Sequence, residues 1–240
     1  RLGLDPATIR YVQGDTDIVT YGRGTFNSRS MSIGGSAVSL ACDKTVAKAS
    51  QIAAHLLEAA EGDLELAGGE VRVKGADVSV TLKQVAEMAA GAPGYSMPKD
   101  VDPGLEAEIN FKPSALTYSN GVQAVEVEVD IDTGAVTFQN YVVVSDCGTL
   151  INPLIVDGQI AGGVVHGIGN ALFEWMGYDE NGQPLTTNLG EYLMPTATEL
   201  INIDMIYESS PSPLNPLGVK GVGETGTVPA LSLIHISEPT

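Results

Sequence analysis

The sequence predicts an α+β fold made of two mixed α/β subdomains. Three patterns predict it: helical periodicity ending before residue 62, short alternating segments over 64–81, and two longer alternating segments over 122–144 joined by a glycine turn. With 240 residues, 43% of them apolar, the chain can bury one large core or two small ones.

In chain order, Ile9 to Gln13 reads as a short strand, followed by a glycine-bearing stretch from Gly14 to Asn27. Ser28 or Ser30 can cap the next helix. Val46, Ala49, Ile52, Ala53, Leu56, Leu57 and Ala60 follow i, i+3, i+4, i+7 spacing, which predicts one amphipathic helix from about Val38 to near Glu61-Gly62. Gly34 and Gly35 weaken its first turns and suggest a close approach to the backbone there. Leu64 and Leu66, Val71 and Val73, and Val78 and Val80 form three short antiparallel strands, and Thr81 caps a helix over Leu82–Ala90. Residues 91–104 hold three prolines and three glycines and read as a linker between a first part, 1–90, and a second, 105–230.

The second part opens on the clearest hairpin signal. Val125, Val127, Val129 and Ile131 alternate with Glu126, Glu128 and Asp130, and Asp132-Thr133-Gly134 supplies the turn before Ala135–Val144. Asn152-Pro153 opens a helix over Val156–Glu174 whose many glycines imply tight packing. Ile203–Tyr207 is a further strand, three prolines extend the next stretch, and Pro229 starts a last helix.

Composition excludes several function classes. A net charge of −18 repels polyanions, so no nucleic-acid partner is expected. No apolar run reaches the roughly 18–20 residues a membrane span needs. The chain opens at Arg1 without a Met or a signal segment, and is expected to be a truncated piece. Cys42 and Cys147 make no disulfide framework, although a single bridge between them stays open. Without CxxC, and with His55, His166 and His235 scattered, no zinc site or cysteine-ligated cluster is expected. Cysteine usage fits the cytoplasm, with the periplasm left open.

Residues 221–226 match GxGxxG, but a Pro-rich stretch precedes them and the chain ends too soon for a dinucleotide fold. A P-loop fails because Glu224 stands where Lys is required, and no GxSxG elbow exists. What remains is a Glu among glycines, where loop N–H groups can converge on an anion. Taken alone, such a Glu is most often a solvated loop residue.

Gly218-Val219-Lys220-Gly221-Val222-Gly223-Glu224 resembles the last active-site loop of the molybdenum hydroxylases, the family of xanthine dehydrogenase, aldehyde oxidase and aerobic carbon monoxide dehydrogenase. Three more segments resemble that family in its order: Gly24-Thr25-Phe26-Asn27-Ser28-Arg29-Ser30, the 127–134 hairpin, and Asp146-Cys147-Gly148-Thr149-Leu150-Ile151-Asn152-Pro153 running to Gly163. The resemblance covers nearly all of 1–230. It implies the C-terminal part of the molybdopterin-binding large subunit, an oxidoreductase using a molybdopterin-type molybdenum cofactor, with the cytosine dinucleotide form as one option. FAD and 2Fe-2S clusters would lie on partner subunits or domains of a hetero-oligomer.

By that resemblance Glu224 is the catalytic base, taking the proton of a molybdenum-bound hydroxide whose oxygen attacks an electron-poor carbon of a small-molecule substrate. In the carbon monoxide branch the metal site and chemistry differ. Gln159 resembles a pterin contact; its amide donates and accepts, and it otherwise reads as a polar residue on a helix surface. Ser28 and Ser30 resemble pterin or phosphate contacts, or simply cap the helix. Arg29 could pair with the cofactor phosphate or a nearby carboxylate. Asn27 stands near the metal by resemblance. Lys220, Gly221, Val222 and Gly223 belong to the cofactor loop, with Lys220 either touching the cofactor or keeping the loop soluble. Cys147 and Asn152 are pterin neighbours by resemblance, while Cys147 also reads as a small buried residue. No side chain is expected to ligate the metal, which the pterin holds.

Residues 231–240 depart from the family, which continues here as a small-residue helix. They read as a non-native tail, and His235 is given no role. The substrate is expected to be an aldehyde, a purine or an N-heterocycle. Carbon monoxide in a carbon monoxide dehydrogenase large subunit is one alternative, and a non-catalytic cofactor-binding or assembly domain another. A hydrolase using Glu224 as base is the rival from outside the family. Alone, the fragment is expected to be inactive.

Overall fold

The computed structural model describes residues 1–19, 22–94 and 96–236, with side chains to residue 232. The side chain of His235 and residues 237–240 of the expected non-native tail therefore lie outside what is described. The fold is α+β. Contacts divide the chain into one unit of residues 1–24 and 34–112, and a second of 25–33 and 113–240.

In the first unit α1 (Ser36–Leu57) and α2 (Leu82–Ala89) accompany an antiparallel sheet of β1 (Leu64–Ala67), β2 (Glu70–Val73) and β3 (Ser79–Thr81). The apolar stripe of α1 does what its spacing predicts. Ala49, Ile52 and Ala53 are buried with Leu64, Val71, Val85, Met88 and Ala89 in one core. Thr81 caps α2 through a reciprocal box: its hydroxyl accepts from Gln84 N, and Gln84 Oε1 accepts from Thr81 N.

Two expectations fail here. Ile9–Gln13 is no strand: Pro6–Thr8 form a 3₁₀ turn capped by Asp5, and the following residues join no sheet among the described residues, leaving Ile9, Tyr11 and Val12 exposed. α1 stops at Leu57 rather than near Glu61, because Glu58 adopts a left-handed conformation (φ 49°) and a separate 3₁₀ turn follows. At the other end, a Cβ on Gly34 would meet no protein atom within 4 Å. A π-helical turn over Met31–Gly35 leads into α1.

The second unit is built on the predicted hairpin. β4 (Asn120–Val129) and β5 (Val136–Asp146) pair antiparallel, with a bulge at Glu126/Val127, and β6 (Asp204–Tyr207) adds parallel to β5. Asp130 closes the turn by accepting from the backbone N–H of Asp132 and Thr133, which holds its carboxyl below the usual range, and Gly134 takes φ 74°. Tyr141, Val143, Ser145 and Cys147 alternate inward along β5 and its end. Against them lies α3 (Pro153–Leu172), burying Val156, Ile160, Val164 and Ile168.

The glycines of α3 serve a close approach. A Cβ on Gly163 would stand 3.0 Å from Gly226 Cα, and one on Gly167 would stand 2.3 Å from Ala230 Cβ. Residue 226 and the start of α4 (Thr227–Ile236) thus lie directly on α3, and Thr227 Oγ1 donates to Gly163 O at 3.0 Å. No described helix is long and apolar enough to cross a membrane.

Candidate functional site

The loop 218–224 is anchored at its start to the end of β5. Val219 bridges Gly148, with Thr149 N donating to Gly218 O (3.0 Å) and Lys220 N donating to Cys147 O (2.7 Å). A Cβ at Gly148 would fall 2.2 Å from Gly218 O, and Gly148 takes φ 69°; both conditions demand glycine. Buried Asn215 clasps Val219 by both backbone groups: its Nδ2 donates to Val219 O (2.9 Å) and its Oδ1 accepts from Val219 N (3.1 Å). Val222 packs on the core of the unit.

Lys220 points inward. Its Nζ donates to Asp146 Oδ2 at 2.6 Å, with the two side chains only 10% and 13% exposed. Asp146 Oδ1 also accepts from the backbone N–H of Gly148 and Ser210. Burial pushes this carboxyl up, but the bonds from Lys220, Gly148 and Ser210, with the charge of Lys220, outweigh it and hold it below the ordinary range.

Beyond Lys220 the loop passes the turn at 27–28. A Cβ on Gly221 would lie 2.6 Å from Ser28 Cβ, and one on Gly223 would lie 3.0 Å from Ser28 Oγ and 3.5 Å from Gln159 Oε1. Ser28 Oγ then donates to Glu224 Oε2 at 3.3 Å. Asn27 and Ser28 both take φ 51°, a left-handed conformation that side-chain-bearing residues rarely adopt in succession. Such strain is typically held in place at functional turns. The Arg29 guanidinium sits over the Phe26 ring, 3.9 Å from its centroid. Two residues beyond Glu224, Gly226 O accepts from Gln123 Nε2 (2.8 Å), and buried Tyr141 donates to Gln123 Oε1 (2.6 Å). Burial pushes the Tyr141 phenol up to about 12, so it stays a donor at neutral pH.

A cavity of about 680 Å³ opens beside Glu224, walled by Phe26, Asn27, Ser28, Arg29, Gly221 and Thr225, and by 115–121 and Val228. Its volume lies within the range of cofactor pockets. It offers a hydroxyl, side-chain amides, a guanidinium and apolar faces from Leu116 and Tyr118, a donor set that fits a polar, anionic, ring-bearing group.

The structure thus brings Asn27, Ser28, Arg29, Gly221, Gly223, Glu224 and exposed Gln159 together. It places the others differently. Ser30 shares a hydrogen bond with Thr25 (2.5 Å). Cys147 is buried in the core, which pushes its thiol up, and it is a free cysteine, as is Cys42. Asn152 caps α3, its Oδ1 accepting from Ile155 N. Among the described residues no His, Cys, Asp or Glu cluster could hold a metal ion. Sequence reasoning gave no role to Asp146, Asn215, Gln123 or the 115–121 wall. Asp146 two residues before a glycine, and Asn215 between a leucine and a proline, are turn-forming patterns that could have flagged two of them.

Residues 1–201 match the family model of the molybdopterin cofactor-binding domain, and the chain belongs to that family. Over 230 residues it is 40% identical to the 6-hydroxypseudooxynicotine dehydrogenase complex subunit gamma of Paenarthrobacter nicotinovorans, covering 95% of this chain and 29% of that protein. It is 38% identical over 235 residues to the carbon monoxide dehydrogenase large chain of Afipia carboxidovorans, covering 96% and 29%. A crystal structure of a Cu,Mo-CO dehydrogenase in its carbon monoxide reduced state superposes with a TM-score of 0.80 at 38% identity, over 90% of this chain and 27% of that one. The chain therefore spans less than a third of the length of these relatives, two of which are named as subunits of larger enzymes.

Proposed function

We propose that this chain is part of the large subunit of a molybdenum-cofactor-dependent oxidoreductase that oxidises an aldehyde, a purine or an N-heterocycle with oxygen drawn from water. The observation that carries the reading is the Ser28–Glu224 hydrogen bond at 3.3 Å, which joins the two loops that resemble the family's cofactor and base segments. Glu224 accepts, at its carboxylate, the proton of the water whose oxygen enters the product. Ser28 fixes one carboxylate oxygen, leaving the other to face the reacting atoms. Asn27, Ser28 and Arg29, with the Gln159 amide and the backbone of 221–223, hold the pterin and phosphate portions. When bound, the cofactor supplies a molybdenum centre that takes up the two electrons of the oxidation. FAD- and 2Fe-2S-bearing subunits carry those electrons onward.

A carbon monoxide dehydrogenase large subunit is the second reading, supported by a relative of that name at 38% identity. Metal and product analysis of the complete enzyme separates the readings. Molybdenum and pterin together, with ¹⁸O from labelled water in a hydroxylated product, support the first. Copper alongside molybdenum, with activity on carbon monoxide, supports the second. A purified complete subunit that carries neither molybdenum nor pterin would refute both.

A further inference from the structure

We propose that Asp146 and Lys220 form a positioning pair for Glu224, holding the glycine loop at its root rather than touching the cofactor. The inference rests on the reading of Glu224 as base. The loop contains Gly221 and Gly223, and glycine backbone loses more freedom on ordering than any other residue. Its order must be imported from neighbours. Four residues before Glu224, Lys220 is fixed at both ends: its backbone N–H to Cys147 O at 2.7 Å and its Nζ to Asp146 Oδ2 at 2.6 Å.

The pair is nearly dry, with side chains 10% and 13% exposed, and so exerts its pull with little screening. Asp146 in turn is tied by two backbone N–H groups, from Gly148 and Ser210, on separate segments. One carboxylate therefore gathers the end of β5, the residues after β6 and the catalytic loop into one frame. The short pairing distance and the three bonds at Asp146 make Asp146, not the cofactor, the partner of the Lys220 charge.

The test uses the complete subunit carrying Asp146→Asn, Lys220→Met, both together, and Glu224→Gln. Asp146→Asn keeps an oxygen for Gly148 and Ser210 while removing the charge and the acceptor for Lys220, so it decides the matter if Lys220→Met does not fold. Each single variant is expected to lower kcat about 10- to 100-fold, the scale of a base displaced by about an ångström, with KM changing less than about threefold. Molybdenum and pterin per subunit should stay at the parent level. Amide hydrogen exchange over 221–226 should rise at least about tenfold, with or without cofactor. The double variant should be no worse than either single one, as expected of two residues acting as a unit.

Loss of cofactor in Lys220→Met but not in Asp146→Asn would assign Lys220 to the cofactor and overturn the proposal. So would unchanged kcat and exchange in both. Full turnover in Glu224→Gln would overturn the base reading instead. The exchange data would then still report whether the pair orders the loop.

Discussion

Ser28 and Glu224, 196 positions apart, meet where the Ser28 hydroxyl donates to Glu224 Oε2 at 3.3 Å. The contact is made by a residue in a left-handed conformation, φ 51°, against a loop whose glycines leave room for it. Strain in one segment and missing side chains in the other are two halves of the same fit.

That fit makes the backbone of Ser28 testable. Ser28→Gly removes the penalty of a side chain at positive φ, whereas Ser28→Val puts a β-branched residue there. A left-handed residue costs roughly 1–2 kcal/mol relative to glycine, and more when branched. Thermal melting of the complete subunit should rank the valine variant below the parent and the glycine variant at or above it. Equal melting of valine variant and parent would show that Ser28 bears no strain.

The approach of residue 226 to α3 gives a second prediction. A Cβ on Gly226 would stand 2.4 Å from Ile160 O and 2.8 Å from Val164 N, backbone atoms that cannot swing aside. Gly226→Ala should destabilise the subunit by about 1–3 kcal/mol, the usual cost of overpacking. Gly158, exposed on the same helix with nothing within 4 Å, is the control. Gly158→Ala should be neutral or stabilise by up to about 1 kcal/mol through helix propensity. Denaturant unfolding of both variants checks the pair, and the reverse order would contradict the packing.

Asp146 sets a pH dependence. Its carboxyl is held below the ordinary range in the folded state, burial notwithstanding, by Lys220, Gly148 and Ser210. A carboxyl with a depressed folded pKa contributes stability that is present above its unfolded value, about 3.9, and is lost as pH falls through the folded value. The melting gap between parent and Asp146→Asn should therefore be widest near neutral pH and close as pH drops below about 3.9. A gap that is constant with pH would mean that the charge of Asp146 is not what stabilises.

Much of the fold was legible because its signals are local. The hairpin follows from Val125, Val127 and Val129 alternating with acidic residues, and the helix starts from Thr81 and Asn152-Pro153. Where the outcome depends on distant neighbours, sequence said less. Ile9–Gln13 has strand-forming residues but, among the described residues, no strand beside it to complete a ladder, and the parallel pairing of β6 with β5 has no local mark. At the site, Glu224, Ser28 and Gln159 were visible through motif resemblance. The Asp146–Lys220 pair and the Gln123–Gly226 strut were not, because each joins segments far apart in sequence, whereas the Asn215 clasp spans only four residues and its local turn pattern went unread.

The central claim is that the carboxylate of Glu224 acts as a base beside a molybdenum cofactor. Turnover measured against molybdenum and pterin content in Glu224→Gln tests it most directly, in the complete enzyme. The variant should lose about 10²- to 10⁴-fold in kcat, the usual worth of a general base, while holding the parent's metal and pterin. Turnover within a few-fold of the parent, or a loss of activity that merely tracks a loss of metal, would contradict it.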